Sequence, residues 1–446
     1  MPIQKPIPGP SGFATLKTLF NYYRAPLQTF KNLIETYGDI FQIKFWKYHI
    51  IHLTNPDAIQ SALINPNFEI SATFSPAEPL VGKGLTSNTG DDWLRQRRLL
   101  QPAFHHEKIA QYLDALVDET EKMLSRWESF AKEQSSFDLV EELTALNHAQ
   151  LVRLLFGTQL TSENQKILEA LQFARTYTNQ RVAALLSPPQ AWPTPANRRF
   201  RQAVTLLNEY TYHLIHRARE TPPEHLDVLS YLIHTLEKSS NKGMTDTQIH
   251  DELLTLFFAA YEDAANALSW TFYEITRYPE IFQRLQAEVD QQVSGKIDLQ
   301  SLQKLPTVSQ VIDETLRLYP PTWSLLRDVL HSDTIEEFSL PKGAIILINI
   351  FHLQRHSTHW KNPDQFEPSR FSPENSADFP KNAYIPFGSG ARKCIGYSLA
   401  LAQMKTTLAM VTQRFQVIPQ PGHVVQIETD STLRMKNGFP VTVISR

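Results

Sequence analysis

The sequence predicts a mainly α-helical protein with small β regions. Apolar residues recur at helical spacing through most of the chain between residues 91 and 277. Alternating apolar residues predict only short strands, at 41–45, 49–53, 344–350, 424–428 and 440–444. No linker or repeat divides the 446 residues. We therefore expect one large domain over 1–446, with a β-containing part over about 1–70 and a helical part over about 71–446.

Two helices stand out from this pattern. The longest is predicted to begin at Thr245, which forms a capping-box pattern with Gln248, and to continue to about Arg277, before a Tyr-Pro pair. At 1.5 Å per residue it would be about 48 Å long, enough to cross the molecule. A last helix is predicted from Gly396 to Arg414.

Composition and charge narrow the possible partners. The chain is 42% hydrophobic with a formal net charge of -3, which is typical of a globular protein and does not favour nucleic acid as a partner. No stretch approaches the roughly 18 to 20 apolar residues of a transmembrane segment. Four prolines and Lys5 interrupt the first ten residues, where a signal peptide needs an apolar region. We therefore expect a cytoplasmic location.

The only cysteine, Cys394, lies between a glycine-rich turn and the last predicted helix. Glycines at 388, 390 and 396 let backbone N–H groups approach the sulfur, and the start of a helix favours a thiolate. The residues alone leave three alternatives open: a metal ligand, a small buried apolar side chain, or a nucleophile whose histidine comes from elsewhere in the chain.

The loop around Cys394 resembles the haem-binding loop of the cytochrome P-450 superfamily, because Phe387, Gly390, Arg392, Cys394 and Gly396 match FxxGxRxCxG. The resemblance implies the P-450 fold, with haem b (iron protoporphyrin IX) between the long distal helix and the cysteine loop with the last helix. It implies that Cys394 is the proximal iron ligand. It further implies that Arg392 holds a haem propionate and that Phe387 packs beside the sulfur.

Further motifs resemble the same family in the expected order. Glu314 and Arg317 match its ExxR helix, where the i, i+3 spacing places both side chains on one face, and Arg370 lies in a segment resembling FxPxRF. The resemblance implies that these three residues form a buried structural network. Trp93 and Arg97 resemble the family's WxxxR helix; by resemblance, these two residues and Arg327 are expected to contact the propionates.

The distal segment departs from the family at one position. Small residues at Ala259 and Ala260 suit the groove beside the haem, but Asp263 stands where the family usually has a threonine that assists proton delivery. Glu262 precedes it, and because neighbours on a helix point about 100° apart, we expect only one of the two acids to face the haem. We favour Asp263, and name both as catalytic candidates. Gln403 is a second, smaller departure, since the family often has glutamate there.

The leading hypothesis from this resemblance is a monooxygenase that inserts one oxygen atom from O2 into a hydrophobic substrate such as a lipid, terpenoid or polyketide-like molecule. The expected pocket segments are largely apolar and aromatic: 71–85, 173–186, 257–261, 322–326 and 432–435. The 52 residues after Cys394 leave no room for a fused flavin reductase. We therefore expect a ferredoxin or flavodoxin with its reductase to deliver electrons, docking near Arg392, Lys393 and Arg98.

Three other functions remain open at the level of sequence. The missing threonine favours a haem-thiolate enzyme of another type, performing peroxide-driven oxidation, oxidative coupling or rearrangement. A haem-containing sensor would show ligand-induced spectral shifts without a product. A cysteine hydrolase would bind no haem.

Overall fold

The computed structural model describes residues 5–46, 48–71, 76–183, 187–220, 227–235, 243–376 and 379–446. It confirms the predicted class, mainly α-helical with small β-sheets. In chain order the helices are α1 Phe13–Arg24, α2 Pro26–Tyr37, α3 Pro56–Ile64, α4 Glu78–Val81, α5 Gly90–Leu100, α6 His106–Glu133, α7 Leu139–Phe156, α8 Ser162–Ala183, α9 Pro195–Glu220, α10 Val228–Ser230, α11 Asp246–Ala259, α12 Asp263–Arg277, α13 Pro279–Gln292, α14 Leu299–Gln303, α15 Pro306–Leu318, α16 Ile350–Leu353 and α17 Tyr397–Arg414.

The strands are short, as the alternating pattern indicates. They are β1 Ile40–Phe45, β2 Tyr48–Leu53, β3 Phe68–Ile70, β4 Phe137–Asp138, β5 Ser324–Val329, β6 Asp333–Ile335, β7 Phe338–Leu340, β8 Ile345–Asn349, β9 Phe415–Pro419, β10 Ile427–Thr429, β11 Leu433–Met435 and β12 Pro440–Ser445. The chain divides into two compact units, the first formed by 1–72, 309–395 and 426–436, the second by 73–308, 396–425 and 437–446. The expectation of one domain over 1–446 stays a prediction.

The first unit is built on a five-stranded sheet in the order β1-β2-β8-β5-β3. β2 and β8 are parallel, and the other neighbours are antiparallel. Ile51, Leu53, Ile346 and Ile348 are fully buried in its apolar core together with residues of α3. The sheet thus supplies a rigid support for β5, which carries Arg327.

His52 is an unusual member of this core. Its ring stacks on Phe41, with centroids 4.6 Å apart, and Phe30 packs against it at the same distance. Among the described residues neither ring nitrogen has a hydrogen-bond partner. Burial, with a smaller contribution from His352, lowers the pKa of His52 to about 3, so the neutral ring is strongly favoured in the folded protein.

The second unit is a helical bundle in which α6, α7, α12 and α17 pack against one another, with β4, β12 and β9 forming a small sheet. Helix α7 has clear local signals at both ends: Asp138 accepts a hydrogen bond from the Val140 N–H, and Gly157 ends the helix at φ 64°. Trp127 and Trp270 are the largest fully buried side chains. Among the described residues, no helix combines the length and apolar character needed to cross a membrane.

The prediction of one continuous helix from Thr245 to Arg277 is wrong. The predicted capping box at Thr245 and Gln248 is confirmed, but α11 ends at Ala259 and α12 begins at Asp263. The apolar periodicity continues across residues 260–262, so the sequence pattern alone does not reveal the interruption. We call residues 260–262 the helix break.

Candidate active site

The cysteine loop, residues 387–396, is closed by its own backbone. The Cys394 N–H donates to the Phe387 carbonyl at 2.9 Å, and a single 3-10 turn spans Gly390–Arg392. Gly388 and Gly390 have φ of 69° and 71°, a conformation that favours glycine. A Cβ on Gly390 would lie 2.8 Å from the Leu63 carbonyl oxygen, so this glycine is also required by space.

The Cys394 side chain is exposed, and α17 begins three residues later at Tyr397 with Gly396 as its N-cap. Gly396 has φ -86°, so its role at this position does not depend on a left-handed backbone. Phe387 is half-buried and Lys393 is exposed. A thiol just before a helix amino terminus lies in a field that favours the thiolate.

Arg327 is a buried guanidinium with an unusual environment. It is 6% exposed and donates to its neighbour's carbonyl, that of Leu326, at 2.8 Å, and no ion pair to it occurs within the described part of the chain. Burial, with repulsion from the Arg392 guanidinium, lowers its pKa to about 10. Arg392 itself pairs with Glu69 at 2.6 Å. Two neighbouring guanidinium groups with one carboxylate between them suit a further carboxylate from a ligand.

Glu314, Arg317 and Arg370 lie together as the motif resemblance predicted. Arg317 donates to both carboxylate oxygens of Glu314, at 2.6 and 2.8 Å, and its three remaining N–H groups donate to backbone carbonyls of Gln354, Pro363 and Gln365. All five donors of this fully buried guanidinium are therefore satisfied. Arg370 reaches Glu314 at 3.3 Å. This network holds the chain that leads into the cysteine loop.

Trp93 and Arg97 share one face of α5, because they are four residues apart in a helix. Trp93 is buried and Arg97 is half-buried. Arg98, named as a docking candidate, is exposed on the same helix. Ala259 ends α11 and Ala260 begins the helix break, and both are exposed.

The two neighbouring acids of the distal segment lie where the helix break ends: Glu262 is its last residue and Asp263 is the first residue of α12. Glu262 forms an ion pair with Arg175 of α8 at 2.9 Å, and Arg175 also donates to the Phe258 carbonyl at 3.0 Å. Asp263, the first residue of α12, is half-buried, and no hydrogen bond to its carboxyl group occurs among the described residues. Burial raises the pKa of Asp263 to about 7, with Arg175 acting to lower it and Glu262 to raise it. The two candidate acids therefore differ in environment: Glu262 has an ion pair, whereas the pKa of Asp263 is raised toward neutrality.

The helix break is held by an amide. Asn147 of α7 donates to the carbonyls of Ala260 and Tyr261 at 3.1 and 2.6 Å. These oxygens lie at the end of α11, where carbonyls lack their usual helical donors. Neither Asn147 nor Arg175 could be predicted from the sequence, since each lies in an ordinary helical pattern and belongs to no motif.

A protein-family model for cytochrome P450 matches residues 7–442. The chain belongs to the cytochrome P450 family. Cyclooctat-9-en-7-ol 5-monooxygenase of Streptomyces melanosporofaciens is 30% identical over 405 residues, covering 90% of this chain and 87% of the relative. Pentalenene oxygenase of Streptomyces avermitilis is 29% identical over 403 residues, covering 89% and 88%. The crystal structure of the cytochrome P450DA heme domain shares the fold with a TM-score of 0.90 and 23% identity, covering 100% of this chain and 98% of that one.

Membership in the P450 family settles the class of enzyme. The chain is an oxidoreductase of the P450 monooxygenase type, which uses haem, O2 and a redox partner on a hydrophobic substrate. The Arg327 guanidinium and the cysteine loop fit such a cofactor, because the first is a buried positive charge with no ion pair among the described residues and the second presents the chain's single thiol. Of the expected pocket segments, residues 72–75 and 184–186 lie outside the described residues.

Proposed function

We propose that this P450 uses haem b held by Cys394 and oxygenates a hydrophobic substrate of the terpenoid, lipid or polyketide-like class. When bound, the haem supplies the activation of O2. The observation that supports its attachment most directly is the backbone-closed loop with two left-handed glycines that ends at the only thiol. Within this proposal, Arg327 and Arg392 bind one propionate, and Trp93 and Arg97 contact the other.

The spectrum of the reduced, carbon monoxide-bound protein tests the axial ligand. Thiolate ligation gives a strongly red-shifted Soret band, which we expect in the wild type and not in Cys394→Ala. Glu128→Ala, at an exposed position on α6, is the control and should keep the red-shifted band. A red-shifted band that persists in Cys394→Ala would remove this cysteine as the ligand.

Asp263 is the proposed proton donor on the distal side. Its carboxyl group is half-buried with a pKa raised to about 7, so both protonation states are populated near neutral pH, as a general acid requires. Glu262 is engaged by Arg175 and is therefore assigned a supporting role: it fixes the chain immediately before Asp263. Ala259 and Ala260 carry only a methyl group, which suits the groove beside the haem that the family resemblance implies.

Asp263→Asn tests this role, since it preserves size and removes the titration. We expect the variant to release more hydrogen peroxide per electron and to lose the pH dependence of coupling near pH 7. Asp263→Thr restores a hydroxyl and should recover coupling if the enzyme follows the usual monooxygenase pattern. If peroxide alone drives turnover of the wild type, and Asp263→Thr abolishes it, the peroxide-driven alternative is favoured instead.

The proposed substrate class is supported by the apolar segments expected to line the pocket and by relatives named cyclooctat-9-en-7-ol 5-monooxygenase and pentalenene oxygenase. A panel containing terpenoid alkenes and alcohols, fatty acids and polyketide lactones, supplied with a surrogate redox chain, should yield an oxygenated product detectable by mass spectrometry. No product from any of these compounds would contradict a substrate of this class. Incorporation of one labelled oxygen atom from O2 would identify the reaction.

The proposed electron donor is an acidic ferredoxin or flavodoxin, served by its own reductase. Lys393 is exposed in the cysteine loop, whereas Arg392 is half-buried and paired with Glu69, so the docking contact is assigned to the exposed Lys393. We expect reduction to slow with added salt and in Lys393→Glu. Lys132→Glu, at an exposed position on α6, is the control. Equal rates in both variants would exclude this docking surface.

A further inference from the structure

The Asn147 side chain that binds the helix break belongs to a series of hydrogen-bonded side-chain amides, which continues to α17, the helix that follows the cysteine. Gln403 of α17 donates from Nε2 to Asn147 Oδ1 at 2.9 Å and to Gln150 Oε1 at 2.8 Å. Gln150 in turn donates to the Leu116 carbonyl at 3.1 Å and to the Thr120 hydroxyl at 3.2 Å. All three amide side chains are buried, at 3%, 0% and 8% exposure for Asn147, Gln150 and Gln403.

The backbone carbonyls at the two ends of this series of amides determine the direction of every hydrogen bond in it. Backbone carbonyls only accept hydrogen bonds, so Asn147 must turn its NH2 group toward Ala260 and Tyr261, and Gln150 must turn its NH2 group toward Leu116. Both amides then present their oxygen atoms to residue 403. A side chain with two donors is needed between those oxygens, and the glutamine amide has two.

We infer that Gln403 is a positioning residue: it locks the Asn147 amide in the orientation that holds the helix break, and thereby holds Asp263. This inference rests on the proposed role of Asp263. It also accounts for the absence of glutamate at this position, because a carboxylate would place its oxygens against the oxygens of Asn147 and Gln150. An ionised carboxylate gains a donor when Asn147 turns over, and this removes the Asn147 NH2 group from the carbonyls of Ala260 and Tyr261.

The inference predicts an unexpected order among the variants. Gln403→Met removes the hydrogen bond that orients Asn147 but still allows the Asn147 amide to keep its orientation, whereas Gln403→Glu stabilises the reversed orientation. Asn147→Asp removes both donors to the break and sets the scale for complete loss. We therefore expect the perturbation of the break to increase from Gln403→Met to Gln403→Glu, approaching that of Asn147→Asp, although glutamate is the closer mimic of glutamine.

The order can be measured by hydrogen exchange of the haem-loaded protein at pH 8. Mass spectrometry of the peptide covering 257–267 gives the exchange rate of the backbone amides in and around the helix break. Loss of two hydrogen bonds should accelerate exchange there on the order of tenfold in Gln403→Glu, with a smaller change in Gln403→Met. Equal exchange rates in the two variants, or a larger change in Gln403→Met, would overturn the inference that Gln403 fixes the orientation of Asn147. If Gln403→Glu does not retain haem, Asn147→Leu removes the donors without a charge and must accelerate the same peptide.

A double-mutant comparison separates this inference from the role of Asp263. With a substrate found in the panel, Gln403→Glu should raise the peroxide released per electron in the wild-type background and add nothing in Asp263→Asn. An equal increase in both backgrounds would show that Gln403 acts only on stability, and would overturn the inference alone. If Asp263→Asn itself leaves coupling unchanged, the proposed role of Asp263 fails, and the catalytic part of the inference fails with it.

Discussion

Glu252 should make the protein less stable as pH rises through neutrality. It is fully buried in α11; one carboxyl oxygen accepts from the Leu85 N–H at 3.0 Å, and within the described residues the other has no partner. Burial raises its pKa from 4.5 to about 8. The folded protein therefore retains a proton that the unfolded chain releases above pH 4.5, so stability is lost as pH rises from about 4.5 to about 8.

The expected magnitude follows from that window. Each pH unit corresponds to about 1.4 kcal/mol, so the full interval gives at most about 5 kcal/mol. Glu252→Gln retains an acceptor for Leu85 and removes the titration. At pH 5 we expect the variant to be equal to the wild type or less stable, because its NH2 group is buried, at a cost of about 1 to 3 kcal/mol. At pH 8 we expect it to be more stable.

Urea unfolding of the haem-loaded protein, followed by circular dichroism at pH 5 and pH 8, measures this change. The quantity of interest is the difference in unfolding free energy between Glu252→Gln and the wild type, which should increase by several kcal/mol between the two pH values. Glu128→Gln, at an exposed position on α6, is the control and should show no such increase. A difference for Glu252→Gln that is independent of pH would refute the reasoning.

Four further changes have defined outcomes. Arg317→Lys replaces five spread donors by three on one nitrogen and leaves buried acceptors without a partner, so it should destabilise the protein by about 3 to 5 kcal/mol in urea unfolding, whereas unchanged stability would contradict a tight network. His52 stays neutral in the folded protein down to pH about 3, whereas the unfolded chain binds a proton below about 6.5. The unfolding free energy of His52→Leu relative to the wild type should therefore increase as pH falls below 6.5. A difference that is constant with pH would exclude this explanation. Gly390→Ala should cost at least about 1 to 2 kcal/mol and lower haem content, measured by the absorbance ratio of Soret band to protein. Arg327→Gln should also lower haem retention in a transfer assay with apomyoglobin, and equal retention would argue against a propionate contact.

The cysteine loop and the Glu314–Arg317 pair could be read from the sequence because their determinants are local. The loop needs glycines at fixed offsets from one cysteine, and the pair needs only helical spacing. The helix break could not be read in this way. Its neighbouring segments remain apolar and helical in pattern, and the donors that replace the missing helical hydrogen bonds, Asn147 and Arg175, come from α7 and α8.

The sequence by itself determined the fold class, the thiol, and the presence of two adjacent acids in the distal segment. Only the tertiary structure shows how the environments of those acids differ, because Glu262 acquires a partner more than eighty residues away while Asp263 begins a helix in a partly buried site. The same holds for Gln403. Its position needs a side chain with two donors, because distant backbone carbonyls fix the orientation of the Asn147 and Gln150 amides. No local sequence pattern encodes the direction of hydrogen bonds between packed helices.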